Sequence, residues 1–321
     1  MFTKVFQPKY FVLLTVFLLC CGITACQSAN SARQQTASPN AEQQQLLQRE
    51  VIDDLGRRVR LPANIERVIS LAPSLTESVF AIGAGNKLVG VTSFCNYPEE
   101  ARKLPKIGDT MKPNLETIVS LKPQLVLIST DSQLEGFLRQ LEANNIPAFV
   151  TEVKDFDGVL TNLRQLGDLL DHPKEAEKLV SDLQTRVTLV QAKVKNENSS
   201  EKPVRVFVQI SREPLYTIGK SSFLTDLVHR AGGESVTSGV ETAYPNISRE
   251  TALAAQPEAI ILSVDESMGS QNTAPDDAFK NSPAVKNNRV YPMSGDLLTR
   301  PSPRTADLIE QIARALHPNA F

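Results

Sequence analysis

The chain has 321 residues, with 34 Lys and Arg against 36 Asp and Glu, and a formal net charge of −2. That faintly acidic balance excludes a nucleic-acid binder, which needs a basic footprint. Three of the four cysteines, Cys20, Cys21 and Cys26, fall at the extreme N-terminus. Cys95 is left alone, so an internal disulfide framework and a Cys-x-x-Cys zinc or redox site are both excluded.

Residues 1–25 read as a targeting segment rather than fold. Lys4 and Lys9 supply a positive start, residues 11–21 are apolar but short for a bilayer span, and Ile23-Thr24-Ala25 has the small residues of a cleavage site. An ordinary secretory peptide would share these features; the cysteine that follows, Cys26, resembles the lipidated first residue of a bacterial lipoprotein. Loss of Lys4 and Lys9 with the signal takes the net charge to −4. Residues 26–50 are then a lipidated cysteine and a Gln-, Ser-, Ala- and Asn-rich tether with too few large apolar side chains to fold. As a random coil it would reach roughly 25–30 Å.

About 270 residues beyond the tether are enough for two domains of ordinary size. Residues 51–156 read as an N-terminal lobe. It opens with a hairpin around Asp54-Leu55-Gly56 and a short strand over 67–71. Ser74 and Glu77 have capping-box spacing for a helix that ends at Gly83-Ala84-Gly85. Strands over 87–92, 125–128 and 148–151 alternate with helices over 114–121, opened by Asn114, and 137–144. Such alternation predicts a mostly parallel sheet covered by helices.

The segment 157–202 is helical almost throughout as far as about Val194, broken at Asp171-His172-Pro173, and residues 196–201 are a polar breaker. Ala176, Leu179, Leu183, Val187, Val190 and Val194 then form one apolar stripe. We read this long helix as a spine between two lobes, the alternative being one more lobe helix. The C-terminal lobe, 203–321, restarts with a strand over 204–210 and a helix over 223–230 closed by Gly232-Gly233. A helix over 251–255, strands over 260–263 and 289–293, and an amphipathic helix over 305–316 follow.

The two lobes repeat each other. Glu116-Thr117, Pro123 and Ser129 recur at identical spacing as Glu250-Thr251, Pro257 and Ser263, and Leu75-Thr76-Glu77 reaching Gly83 parallels Leu224-Thr225-Asp226 reaching Gly232. The fold expected is α/β, two Rossmann-like lobes joined by a single long helix, with a ligand cleft between them.

Catalytic patterns fail one by one. Gly83-Ala84-Gly85 ends a helix and lacks the third glycine of a dinucleotide fingerprint. Gly219-Lys220-Ser221 lacks the earlier glycine of a phosphate loop, Pro214 standing there. Ser74 has no glycine-flanked elbow, and His172, His229 and His317 are scattered. A binding function survives better than an enzyme.

Several motifs in combination carry a resemblance: Arg67-Val-Ile-Ser-Leu-Ala-Pro-Ser-Leu-Thr-Glu77, Val89-Gly-Val-Thr-Ser93 with Tyr97-Pro98, Pro113-Asn-Leu-Glu-Thr-Ile118, Ile247-Ser-Arg-Glu250 and Ser302-Pro-Arg304. Over residues 51–316 the chain resembles the class III substrate-binding proteins of ABC importers, in the cobalamin- and iron-siderophore-binding branch. The resemblance implies a monomer with its ligand between the lobes, a lipid tie to the membrane through Cys26, and one permease-docking glutamate per lobe. By motif position these are Glu116 and Glu250, equivalent in the repeat as a two-point latch on a symmetric permease dimer requires. First-turn acids also suit helix N-termini for their own sake.

Cleft residues are expected at the C-terminal ends of strands: Ala72, Pro73, Ser74, Phe94, Tyr97 and Asp131 in the first lobe, Arg212, Tyr216, Tyr244, Asp296 and Arg300 in the second. Phe94 and Tyr244 match aromatics that pack on the corrin in cobalamin binders, and Asp296 and Arg300 match polar contacts. The chain departs from those relatives in containing no tryptophan, with Thr110 and Ser129 where large aromatics are expected. The implied function is capture of a metal-chelate ligand, cobalamin or a related corrinoid, for an ABC importer. The alternatives are a ferric siderophore or haem, met by Arg212 and Arg300, or, in another class, an enzyme or sensor on the same body. No catalytic cofactor, bound metal ion or nucleic acid is implied.

Overall fold

The computed structural model describes residues 48–130, 135–197, 202–264 and 274–321. Cys26, Asp131 and the tether expected at 26–50, up to residue 47, lie outside the described residues.

Strands β1 (Gln48–Ile52) and β2 (Arg58–Pro62) pair antiparallel as the expected hairpin. Asp53 organises its turn, accepting from the amides of Leu55 and Arg57 and from the Arg57 guanidinium. Asp54 N donates to Val150 O at 3.1 Å and Val150 N to Asp53 Oδ2 at 3.3 Å, so the turn covers the edge strand of the first lobe.

That lobe is a four-stranded parallel sheet in the order β4-β3-β5-β6, built from β3 (Val68–Ser70), β4 (Leu88–Val91), β5 (Leu125–Ser129) and β6 (Ala148–Thr151). Helices α1 (Pro73–Ala81), α2 (Glu99–Arg102), α3 (Leu115–Ser120) and α4 (Glu135–Ala143) connect the strands. The second lobe has β7 (Val204–Gln209), β8 (Gly233–Ser235), β9 (Ala259–Val264) and β10 (Val290–Ser294), also parallel, in the order β10-β9-β7-β8. Its helices are α7 (Phe223–Arg230), α8 (Arg249–Ala255), α9 (Pro283–Lys286), α10 (Gly295–Thr299) and α11 (Thr305–Leu316). In each lobe the first strand lies between the second and the third, so the two sheets have one topology.

The repeat extends to backbone conformation. Gly83 and Gly232, closing equivalent helices, have φ of 85° and 82°, the left-handed region that glycine enters without a Cβ penalty. Lys122 and Gln256, each just before its repeated proline, both sit near φ 40–50°, at 47° and 41°.

Between the lobes run α5 (Phe156–Leu169) and the spine, α6 (Pro173–Glu197). Along the spine Ala176, Val180, Leu183, Val187, Val190 and Val194 are buried. Val180 replaces the expected Leu179, which is only partly covered, because the buried positions keep a strict four-three alternation that Leu179 does not fit. One continuous apolar cluster runs from Val68 and Leu127 in the first lobe through the spine to Val206, Leu227 and Leu316 in the second. The outer face of each sheet has its own smaller cluster, around Val126 and Ile128 and around Phe207 and Phe279. The lobes therefore share a core along the spine. Among the described residues no helix is long and apolar enough to cross a membrane.

Three local expectations are corrected. Helix α1 starts at Pro73 with Ala72 at the N-cap and no side-chain cap, so Ser74 and Glu77 do not form a capping box; proline at the first position already fixes the helical φ. Residues 295–299, expected as loop, form helix α10. Strand β8 and the short helices α2 and α9 carried no periodic signal over so few residues.

Candidate ligand-binding cleft

In both lobes the connections leave β3 and β5, or β7 and β9, in opposite directions, and the crevice above such a neighbouring pair is where an open α/β sheet holds ligands. A pocket of about 260 Å³ lies there, lined by Ala72, Pro73, Ser74, Phe94, Thr110, Ser129, Asp296, Thr299 and Arg300. Ala72 to Ser74 follow β3 and Ser129 ends β5; the last three residues belong to α10 and its exit in the other lobe. Six of the expected cleft residues, Ala72, Pro73, Ser74, Phe94, Asp296 and Arg300, are thus brought together from both lobes. Phe94 is 53% exposed and offers its ring to the opening.

The loop that carries Phe94 is tied from below. Lys106 Nζ donates to the carbonyls of Cys95 at 3.2 Å and Ala101 at 2.9 Å. Burial holds the Lys106 ammonium below its ordinary value, against the opposing pull of Cys95. Cys95 itself is buried beside the hydroxyls of Thr76 and Thr92.

Other expected residues stand outside this pocket's lining. Tyr97 lies under the Arg304 guanidinium, 4.2 Å from the ring centroid. Arg212 pairs with Asp277 at 3.0 Å, and Tyr216 bridges Ser211 and Asn246 through its backbone. Tyr244 is 40% exposed on the second lobe.

The main interaction across the cleft was not legible in sequence. Glu77, on α1 of the first lobe and 3% exposed, accepts from Ser302 Oγ at 2.7 Å, Arg300 Nη1 at 3.1 Å and Arg304 Nη1 at 3.3 Å. Arg300 also donates to Asn96 Oδ1 at 2.6 Å, Asp296 Oδ1 at 2.6 Å and Phe94 O at 3.3 Å, while Asn96 Nδ2 donates to Asp296 Oδ2 at 3.0 Å. The motifs ending in Glu77 and containing Ser302-Pro-Arg304, 225 positions apart, are the two halves of one clasp. Removing one partner would leave a charge buried without its counter-ion, a loss of roughly 3–5 kcal/mol. Asp226, the repeat equivalent of Glu77, reaches α5 instead: it accepts from Phe156 N at 2.9 Å and, on its own helix, from Arg230 Nε at 2.8 Å.

Glu116 and Glu250 stand exposed in the first turns of α3 and α8. Asn114 accepts from Thr117 N at 3.0 Å and Ser248 from Thr251 N at 3.2 Å, so both helices are capped alike. The Glu250 carboxyl is held below its ordinary value, first by its own backbone amide and then by the Ser248 hydroxyl. Each helix also exposes an apolar side chain one turn on, Val119 and Leu253. Among the described residues no three His, Cys, Asp or Glu side chains gather to hold a metal ion.

Two parallel-sheet lobes of one topology, a spine helix and a pocket shared by both lobes define a two-lobed substrate-binding protein. The chain belongs to the periplasmic binding protein family, which matches residues 68–297. It is 32% identical over 253 residues to a vitamin B12-binding protein of Vibrio parahaemolyticus, covering 77% of this chain and 88% of that one. An uncharacterised ABC transporter substrate-binding lipoprotein of Bacillus subtilis is 29% identical over 314 residues, covering 97% of this chain and 96% of the relative. The crystal structure of the periplasmic vitamin B12-binding protein of Vibrio cholerae superposes with a TM-score of 0.69 at 30% identity, covering 78% of this chain and 96% of that one.

Proposed function

We propose that this protein works outside the cytoplasm, captures a cobalamin or related corrinoid between its lobes, and hands it to the permease of an ABC importer. The observation that carries the reading is the pocket itself, which draws its lining from both lobes at the ligand edge of each sheet. Relatives named as vitamin B12-binding proteins, spanned over most of their length, support the choice of ligand. At about 260 Å³ the pocket is just below the usual 300–1,000 Å³ of small-molecule sites. A corrinoid would lay one face on Phe94 and leave much of its periphery outside. Glu116 and Glu250 would dock the permease, and Cys26 would carry the lipid that keeps the body near the membrane. Titration of the purified protein with cyanocobalamin, haem and ferric siderophores tests the ligand: saturable binding of the corrinoid at the tightest affinity is expected, and tighter binding of either iron chelate would replace it. Metabolic labelling with a fatty-acid analogue tests the anchor, and a Cys26→Ser variant labelled as strongly as wild type would remove it.

A further inference from the structure

We propose that Glu77 is a specificity-determining residue that makes the cleft electrically neutral, so that it takes an uncharged, amide-bearing chelate and discriminates against carboxylate- or catecholate-rich ones. The inference rests on the reading of the interlobe pocket as the ligand site.

Asp296 and Arg300 line the pocket as an ion pair, and behind them Glu77 pairs with both Arg300 and Arg304. The four charges sum to zero. Among the described residues Arg300 is the only cation lining the pocket, and both of its terminal nitrogens are engaged, Nη1 by Glu77 and Asn96, Nη2 by Asp296 and Phe94 O. Its side chain is 10% exposed. A guanidinium so engaged would have to give up a carboxylate to take one from a ligand. The rest of the lining is Phe94, Ala72, Pro73 and the hydroxyl residues Ser74, Thr110, Ser129 and Thr299. Hydroxyls both donate and accept, and so suit neutral amides.

Stability alone does not account for a buried carboxylate there, because apolar packing of the same volume usually does as well as a buried ion pair. The repeat provides the comparison. Asp226 occupies the equivalent place on α7 and accepts from Phe156 N on α5 and from Arg230 on its own helix, and none of these three residues lines the pocket. Glu77 does not line the pocket either, but it binds Arg300, which does.

The test uses the full chain and three probes: cyanocobalamin, which is neutral with peripheral amides, haem, with two propionates, and a ferric tris-catecholate. Wild type should prefer the neutral probe. Glu77→Gln keeps the side-chain shape and leaves one positive charge uncompensated, so the ratio of anionic to neutral affinity should rise about tenfold or more, and the gain should fade as salt shortens the screening length. Glu77→Gln with Arg304→Gln restores neutrality and should restore the wild-type ratio, and Asp226→Asn should leave it unchanged. Comparing ratios removes any uniform loss from a loosened clasp. If Glu77→Gln weakens all probes by one factor, or Asp226→Asn moves the ratio as much, Glu77 is structural only and the proposal fails. If wild type binds no chelate, the ligand-site reading fails and takes this inference with it.

Discussion

Replacing Phe94 with alanine separates ligand binding from folding, because the ring is half outside the protein before any ligand arrives. At 53% exposure, a phenylalanine with some 200 Å² to bury leaves about 100 Å² for a ligand to cover. At roughly 25 cal/mol/Å² full coverage is about 2.5 kcal/mol, and half coverage a little over 1 kcal/mol. Phe94→Ala should therefore weaken corrinoid binding about 10- to 60-fold. The backbone carbonyl that accepts from Arg300 is retained in the variant, and no buried cavity forms, so the melting temperature should move little. Equilibrium dialysis against cyanocobalamin gives the first quantity and a thermal melt without ligand the second. Unchanged affinity would place the ligand elsewhere. A large fall in melting temperature with a matching loss of binding would make Phe94 a packing residue of its loop.

Glu116→Ala with Glu250→Ala should retain ligand affinity but lose uptake and permease association, since truncating one partner of a desolvated charge pair costs roughly 2–5 kcal/mol; normal uptake by the double variant would refute the docking role. Gly232→Ala should destabilise by about 2–4 kcal/mol, seen as a lower melting temperature, because the residue sits at φ 82° and a Cβ would overlap Val194 of the spine and His317. Glu310, held below its ordinary 4.5 first by Arg314 and also by Arg186 on the spine, should contribute up to about 1 kcal/mol. With the folded value depressed, that contribution is full above pH 4.5 and is lost as pH falls through the lower folded value; denaturant titrations of wild type and Glu310→Gln should converge on the acid side and differ at neutral pH.

Elements with their own chemistry were legible in the sequence. Helices α7 and α11 and strand β6 appear at the expected residues because each combines a periodic apolar pattern with clear ends, such as Ser222 capping α7 and Gly232 closing it. The repeat also foretold that the lobes share a topology, since equal spacing of helix, proline and strand imposes equal connections. Strand β8 escaped notice because three residues beginning at the second glycine of Gly232-Gly233 hold no period. In the cleft, strand-end residues such as Ala72, Ser74 and Phe94 were found from their place relative to the strands.

By itself, then, the sequence determined which segments bury which faces and that the same unit occurs twice, because hydrophobic periodicity, caps and proline positions act over a few residues. Only the tertiary structure decided which charges meet. Glu77 at helical spacing from Ser74 reads as a cap, and Arg300 in a polar segment reads as a free cation for an anionic ligand. Folding brings residues more than 220 positions apart within 3.3 Å and turns both into parts of one neutral clasp. Coulomb interactions depend on separation in space and on burial, and neither is encoded in the local order of side chains.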